Sequence, residues 1–326
     1  MPNIEADSVI APRLSVTKRV HVAVGVIKND KQQILVAKRA QHLHQGGLWE
    51  FPGGKVEINE SASEALHREL YEELNITVEK VRPLIRICHD YPDKSVLLDV
   101  WVVEKFSGTA QGKQGQPLVW VDVTRLYDYP VPTANKSIIA ALRLPREMMI
   151  TGDYIHEMDF ENRLHRALRH GIKAVQLRAH QCNEQEFQLL FNRAKKSCDA
   201  FGALLIANTN TDRFPKLSAD GLHLTSMELM KCKNRPVPKN ILLGASCHSL
   251  EEIQQAERIE TDYITLGPVY ETSTHPNAAP LGLKNFSILA KQYSGLVFAL
   301  GGMKAEMLSQ INDIGGFGVA SISAWW

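Results

Sequence analysis

The feature that most constrains this chain is the regular alternation of short apolar runs with amphipathic segments from about residue 148 onward. MMITGD leads into DFENRLHRALRHG, AVQLRA into NEQEFQLLFNRAKKSCDAFG, ILLGAS into SLEEIQQAERIE, and VFALGG into KAEMLSQINDIG. With ALLIANT, GLHLT, YITLGPV and GVASIS they make eight candidate strands, most trailed by a helix. That pattern predicts a parallel, TIM-like (β/α)8 barrel. The sequence reaches Trp326 directly after the eighth run, so the last helix of the barrel is expected to be missing. The eighth strand then needs another cover, and Trp325 and Trp326 are candidates to dock against the preceding domain or a second chain.

Before residue 145 the periodicity is different. HVAVGVI and QILVAKR flank the polar KNDKQ and read as a hairpin. Ser61 to Leu74 reads as a helix, strands follow around Val81–His89, Val96–Glu104 and Leu118–Val121, and NKSIIAALRL is a short amphipathic helix stopped by Pro145. A length of 326 residues suits two domains, 1–145 (core from about 20) and 146–326, with little room for a linker. The fold class is α/β in both.

Charge and composition exclude several partner classes. Lys and Arg total 37 against 36 Asp and Glu, so nothing drives the chain toward nucleic acid or a membrane surface. No run of 18 apolar residues occurs, and the first residues carry acids where a secretory signal carries bases. The five cysteines show no CxxC spacing, which points to reduced thiols in a cytoplasmic protein.

The chemistry concentrates in EFPGGKVEINESASEALHRELYEELNI, Glu50 to Ile76. On a helix, Glu69, Glu72 and Glu73 share one face through i+3 and i+4 spacing, and like charges so placed repel. A solvated acidic face is one reading. The other is a site for a hard divalent cation that binds alongside substrate phosphates. Gly53-Gly54 allow a tight turn, and Ser61 with Glu64 has the form of a capping box.

Gly54, five residues, Glu60, seven residues, then Arg68-Glu69-Leu70-Tyr71-Glu72-Glu73 resembles the Nudix hydrolase box. Asn75 stands where its last glycine is expected, and asparagine tolerates the same left-handed geometry. AVGVI, Arg39, LWEFPGGK, Tyr91-Pro92-Asp93, GKQGQPLVW and PTANKSII extend the resemblance to bacterial MutT-type 8-oxo-dGTP pyrophosphohydrolases over about residues 20–145. It implies an N-terminal Nudix α/β/α domain with a mixed sheet, and Mg²⁺-dependent cleavage of a nucleoside triphosphate to monophosphate and pyrophosphate, with Mn²⁺ as an alternative ion. By this resemblance Glu69, Glu72, Glu73 and the Gly53 backbone hold metal or supply the base, Arg68 and Glu60 orient the carboxylates, and Arg39, Tyr91, Asn135 and Lys55 bind substrate. Asn135 has the alternative role of a helix N-cap. Where the family has a metal-binding glutamate in the GKQGQP loop, this chain has Gln114.

VQLRAH, ANTNTD, ADGLHL, GASCHS, DYITLGPVYETSTHPNAAPLGL, ALGGM and GVASISA resemble the thiamine-phosphate synthase and TenI-like thiazole tautomerase family. The resemblance covers about residues 148–324 and implies a phosphate cradle at Gly301, Gly302, Ser321 and Ser323, so that a thiamine-related phosphate is a candidate ligand. His248 matches the tautomerase histidine, an acid–base group near neutral pH. Synthase positions are altered: His180 replaces a lysine, Asn208-Thr209-Asn210 replaces Asn-Asp-Arg, Glu228 replaces an aspartate and His275 a lysine. The resulting expectation is a sanitiser of oxidised nucleotides, 8-oxo-dGTP to 8-oxo-dGMP and pyrophosphate, carrying a barrel without synthase activity. The alternatives are a pyrophosphatase of a thiamine-related pyrophosphate and a non-catalytic reader of oxidised guanine. A homo-oligomer is compatible with all three.

Overall fold

The computed structural model describes residues 19–42, 45–272 and 279–326. Its first half runs β1 (Val20–Ile27), β2 (Ile34–Lys38), β3 (Trp49–Glu50), β4 (Gly53–Lys55), α1 (Ala62–Leu74), β5 (Thr77–Asp90), β6 (Ser95–Ser107), β7 (Leu118–Val121) and α2 (Thr133–Arg143). One sheet has the order β4-β1-β6-β5 and a smaller one β3-β2-β7. The first is mixed, with β1 parallel to β6 and antiparallel to β4. The expected β1–β2 hairpin is therefore overturned. The two strands share only a bridge between Lys28 and Ile34 and then enter different sheets. Both are apolar on either face, and β1 finds eight parallel partners on β6 instead.

Alternation along β1 divides its burial. Ala23 and Ile27 join Leu66, Leu70 and Leu74 of α1, whereas Val24 and Val26 face the cluster containing Ile138 and Ile139 of α2. A Cβ on Gly25 would lie 3.1 Å from Leu70, so a larger residue there would push α1 outward. The ends of α1 follow local chemistry. The Ser61 hydroxyl accepts from the Glu64 N–H (3.2 Å), and the Glu64 carboxylate accepts from the Ser61 N–H (2.8 Å). Asn75 closes the helix at φ 58°, the left-handed cap expected of it.

The second half continues β8 (Glu147–Ile150), α3 (Glu157–Arg169), β9 (Ala174–Leu177), α4 (Glu184–Ala200), β10 (Leu204–Asn208), β11 (Gly221–Leu224), α5 (Ser226–Lys231), β12 (Leu242–Cys247), α6 (Leu250–Arg258), β13 (Tyr263–Leu266), α7 (Gly282–Ala290), β14 (Leu296–Leu300), α8 (Leu308–Asp313) and β15 (Gly318–Ser321). The eight strands β8–β15 close into a parallel barrel as β15 pairs with β8. Among the described residues, a short 3-10 turn follows β10 and no helix follows β15. The strand is nonetheless buried along its whole length. Trp326 seals this seam from within the barrel. Its Nε1 donates to the Asp153 carbonyl (2.8 Å) and its ring meets Phe160 of α3 edge-on, so its docking partner is the barrel's own first βα unit.

The two halves share one core. Met148, Ile206, Leu242, Tyr263, Phe298 and Phe317 belong to the same apolar cluster as Val26, Leu84, Ile138 and Ile139. Arg146 donates to the Leu84 carbonyl and stacks on Phe317, and α2 lies against the loops that open β12, β13 and β14. Barrel active sites lie at the opposite, carboxyl ends of the strands, so the first domain caps the barrel floor and leaves its mouth open.

Candidate active site

A cleft of about 570 Å³ opens between β1, β3, β4 and the start of α2. It gathers Arg39, Lys55, Glu73, Tyr91, Gln114 and Asn135, residues scattered over much of the first half of the sequence. Gly53 and Gly54 make this convergence feasible. Gly53 adopts φ +148°, and a Cβ on it would lie 2.1 Å from the Ala23 carbonyl oxygen. A Cβ on Gly54 would lie 2.1 Å from the Glu69 carboxylate, so only glycine lets the helix carboxylate approach the turn.

The glutamates differ in environment. Arg68 holds Glu60 in a two-pronged pair at 2.9 Å, donates to Glu69 (2.9 Å) and to the Lys55 carbonyl (3.1 Å), and lies 3.4 Å from Glu72. These bonds pull the Glu60 carboxyl down to about 2. Among the described residues, no ion pair to Glu73 matches the hold of Arg68 on Glu60. Burial, reinforced by the charges of Glu69 and Glu50, raises the Glu73 carboxyl to about 7, although the Gly53 N–H donates to it. Glu72 stays at the rim with more than half of its side chain exposed.

Among the described residues, no three His, Cys, Asp or Glu side chains converge tightly enough to cage a metal. Like charges separate, and Arg68 draws Glu69 and Glu72 toward itself. The donor chemistry still fits Mg²⁺, which takes one or two protein carboxylates and completes its shell with water and phosphate oxygen. Glu69 and Glu73 carry the carboxylate oxygens that lie beside the Gly53–Gly54 turn.

The rest of the cleft is built by three elements. Arg39, at the end of β2, is ion-paired with Glu50 on the neighbouring β3. Tyr91, beyond β5, has a hydroxyl that accepts from the Ala134 N–H. Asn135 is the third residue of α2, and the N-cap position belongs to Pro132, so the capping alternative is overturned. Its side chain lines the cleft, 7% exposed. Lys55 is exposed at the edge. Sequence reasoning overlooked Glu50 and Lys94, which also line the cleft. An acid directly before the glycine turn was the available signal for Glu50, but its pairing with Arg39 depends on β2–β3 register. Gln114 occupies the cleft on a loop tied to α1 by Gln116, whose amide donates to the Glu73 carbonyl (3.1 Å).

At the barrel mouth, Gly301 and Gly302 take φ +97° and +68° after β14, beside the end of β15 where Ser321 is buried and Ser323 exposed. The Ser321 hydroxyl accepts from the Ala324 N–H (3.3 Å). His248, after β12, is half-exposed with Nδ1 3.1 Å from Glu252. Two buried amides, Asn208 Oδ1 of the altered run and Gln176 Nε2, which the sequence did not single out, have no partner among the described residues. Glu228 is ion-paired with Lys231 (2.7 Å), Thr209 is buried, and burial lowers the His180 pKa. His275 lies outside the described residues.

Comparison with known proteins gives a match in each half of the chain. Residues 147–325 match the family described as thiamine monophosphate synthase, and residues 23–141 match the Nudix domain. A putative thiamine-phosphate synthase 2 of Aquifex aeolicus is 33% identical over 56% of this chain and 98% of its own. The 8-oxo-dGTP diphosphatase of Escherichia coli is 36% identical over 39% of this chain and 98% of its own. A solved structure from a study of MutT of Aliivibrio salmonicida and Vibrio cholerae is 39% identical, with a TM-score of 0.34, covering 37% of this chain and 94% of that one. The chain thus belongs to the Nudix family through its N-terminal half and to the thiamine monophosphate synthase/TenI family through its barrel.

Proposed function

We propose that the N-terminal cleft hydrolyses 8-oxo-dGTP to 8-oxo-dGMP and pyrophosphate, removing an oxidised nucleotide before it can be copied into DNA. The observation that carries this reading is the meeting, in one cleft, of the buried Glu73 with Arg39, Tyr91 and Asn135. Asn135 offers a donor and an acceptor to the edge of a purine, Tyr91 offers a ring face, and Arg39 and Lys55 offer positive charge to the phosphates. Glu69 and Glu73, with Glu72 and the Gly53 backbone, are the residues that would hold Mg²⁺. Once bound, the ion supplies charge neutralisation of the phosphates and a more acidic water. Arg68 and Glu60 keep the Glu69 carboxylate turned toward Gly54.

The diphosphatase relatives act on 8-oxo-dGTP by name, and they support this substrate over a generic triphosphate. We assign the barrel a phosphate-binding role without synthase turnover, because Glu228 is spent on Lys231 and a threonine stands at the altered aspartate position. The domain boundary in this reading is 145/146, and its setting is cytoplasmic.

The test is discrimination. Asn135→Ala is expected to lower kcat/KM for 8-oxo-dGTP relative to dGTP by roughly tenfold to a hundredfold. An unchanged ratio would remove Asn135 from base recognition. For the barrel, condensation of thiazole phosphate with the pyrimidine pyrophosphate at a rate typical of a synthase would contradict the assignment.

A further inference from the structure

We infer that the barrel floor is a specificity element of the Nudix cleft: through α2 it positions the Asn135 amide. The inference rests on the reading of Asn135 given above and adds a role for the other domain. No hydrogen bond from within the described structure orients the Asn135 side chain, so its aim depends on where the α2 backbone sits. The helix brings little of its own to fix that position. Pro132 stands where a capping residue would be, so among the described side chains its first turn is met only by the Tyr91 hydroxyl at the Ala134 N–H.

Apolar packing of Ile138 and Ile139 seats the helix on the first domain, its polar tethers reach the barrel, and two of them start on the residues directly after Asn135. The Ser137 hydroxyl donates to the Ser294 carbonyl (2.8 Å), and Lys136 pairs with Glu260 (3.0 Å). Arg143, at the other end of the helix, donates to the Asn240 carbonyl (2.8 Å) and stacks on Tyr127. The receiving loops are themselves restrained. Both the N–H and the hydroxyl of Ser294 donate to Glu257, and Asp262 accepts from Arg235 and from the Leu243 N–H. Helix α2 is thus clamped along its length to three barrel loops, while its other side presents Asn135 to the cleft. Lys136 and Ser137 are positioning residues, since neither needs to touch the nucleotide.

The experiment is a charge swap in the full chain, read as the ratio of kcat/KM for 8-oxo-dGTP to that for dGTP. Lys136→Glu is expected to reduce the ratio about three- to tenfold, mostly through KM for the oxidised substrate, with kcat for dGTP unchanged. Lys136→Glu combined with Glu260→Lys is expected to restore it. Ser137→Ala, which removes the second tether without altering charge, should reduce the ratio independently. If these variants lower the melting temperature but keep the wild-type ratio, the floor is only a structural support and the inference is overturned while the substrate reading survives. If the wild type itself shows no preference for 8-oxo-dGTP, the substrate reading fails first and the inference falls with it.

Discussion

The Nudix cleft and the barrel interior treat buried polar groups in opposite ways. In the barrel, His223 is buried, with Nδ1 3.0 Å from the Tyr263 hydroxyl and Nε2 2.9 Å from the Ser246 hydroxyl. Asp262, at the floor, is matched by a guanidinium and a backbone N–H. In the cleft, Glu73 is buried beside two other carboxylates, and the Asn135 amide faces open space. A satisfied polar group holds a fold together, whereas an unsatisfied one in a cleft is waiting for a ligand. The barrel has its own exceptions, Gln176 Nε2 and Asn208 Oδ1, which lack partners among the described residues.

Substitutions can test this contrast, beginning with the largest effect. Glu69→Gln removes a charge that has a predicted function and crowds its neighbours. It should reduce Mg²⁺-dependent pyrophosphate release by about a thousandfold or more while leaving the melting temperature level or higher. A large loss of both would place Glu69 among the structural carboxylates. Gly244→Ala works in the opposite sense, since its Cβ would lie 2.0 Å from the Tyr263 ring. A loss of about 3 kcal/mol in denaturant unfolding is expected. A near-neutral result would show that the Tyr263–His223 pair is loosely packed.

Acid should act on the barrel through His223, whose pKa burial lowers to about 3. Between that value and the ordinary histidine value near 6.5, the unfolded chain binds a proton that the folded chain refuses. Stability contributed by the neutral His223 is therefore present above pH ~6.5 and lost as pH falls, by up to about 1.4 kcal/mol per unit. Urea unfolding at pH 7 and pH 5 measures the slope, and His223→Gln should flatten it. The smallest effect is expected from Ser61→Ala, about 1 kcal/mol of stability with no change in the ratio between the two nucleotides.

What the sequence made legible was local or periodic. The Ser61–Glu64 capping box, the left-handed Asn75 and the closed ring of eight strands all follow from neighbours in sequence or from repeated patterning. The glutamate box was legible as spacing, but the unequal environments of Glu69, Glu72 and Glu73 were not, because burial and the reach of Arg68 are tertiary. β1 and β2 misled because two apolar strands joined by a polar turn look like a hairpin wherever their partners lie. Glu50 was hidden by strand register, and His223 by looking like any lone histidine in an apolar run. The clamp on α2 was invisible because Lys136 and Ser137 meet Glu260 and Ser294 from more than a hundred residues away.

The most direct test of the central claim is pyrophosphate release by the wild-type chain with Mg²⁺, comparing kcat/KM for 8-oxo-dGTP and dGTP. The account predicts strong preference for the oxidised nucleotide and loss of turnover on chelation. Equal rates for the two nucleotides, or turnover that survives removal of divalent cations, would contradict it.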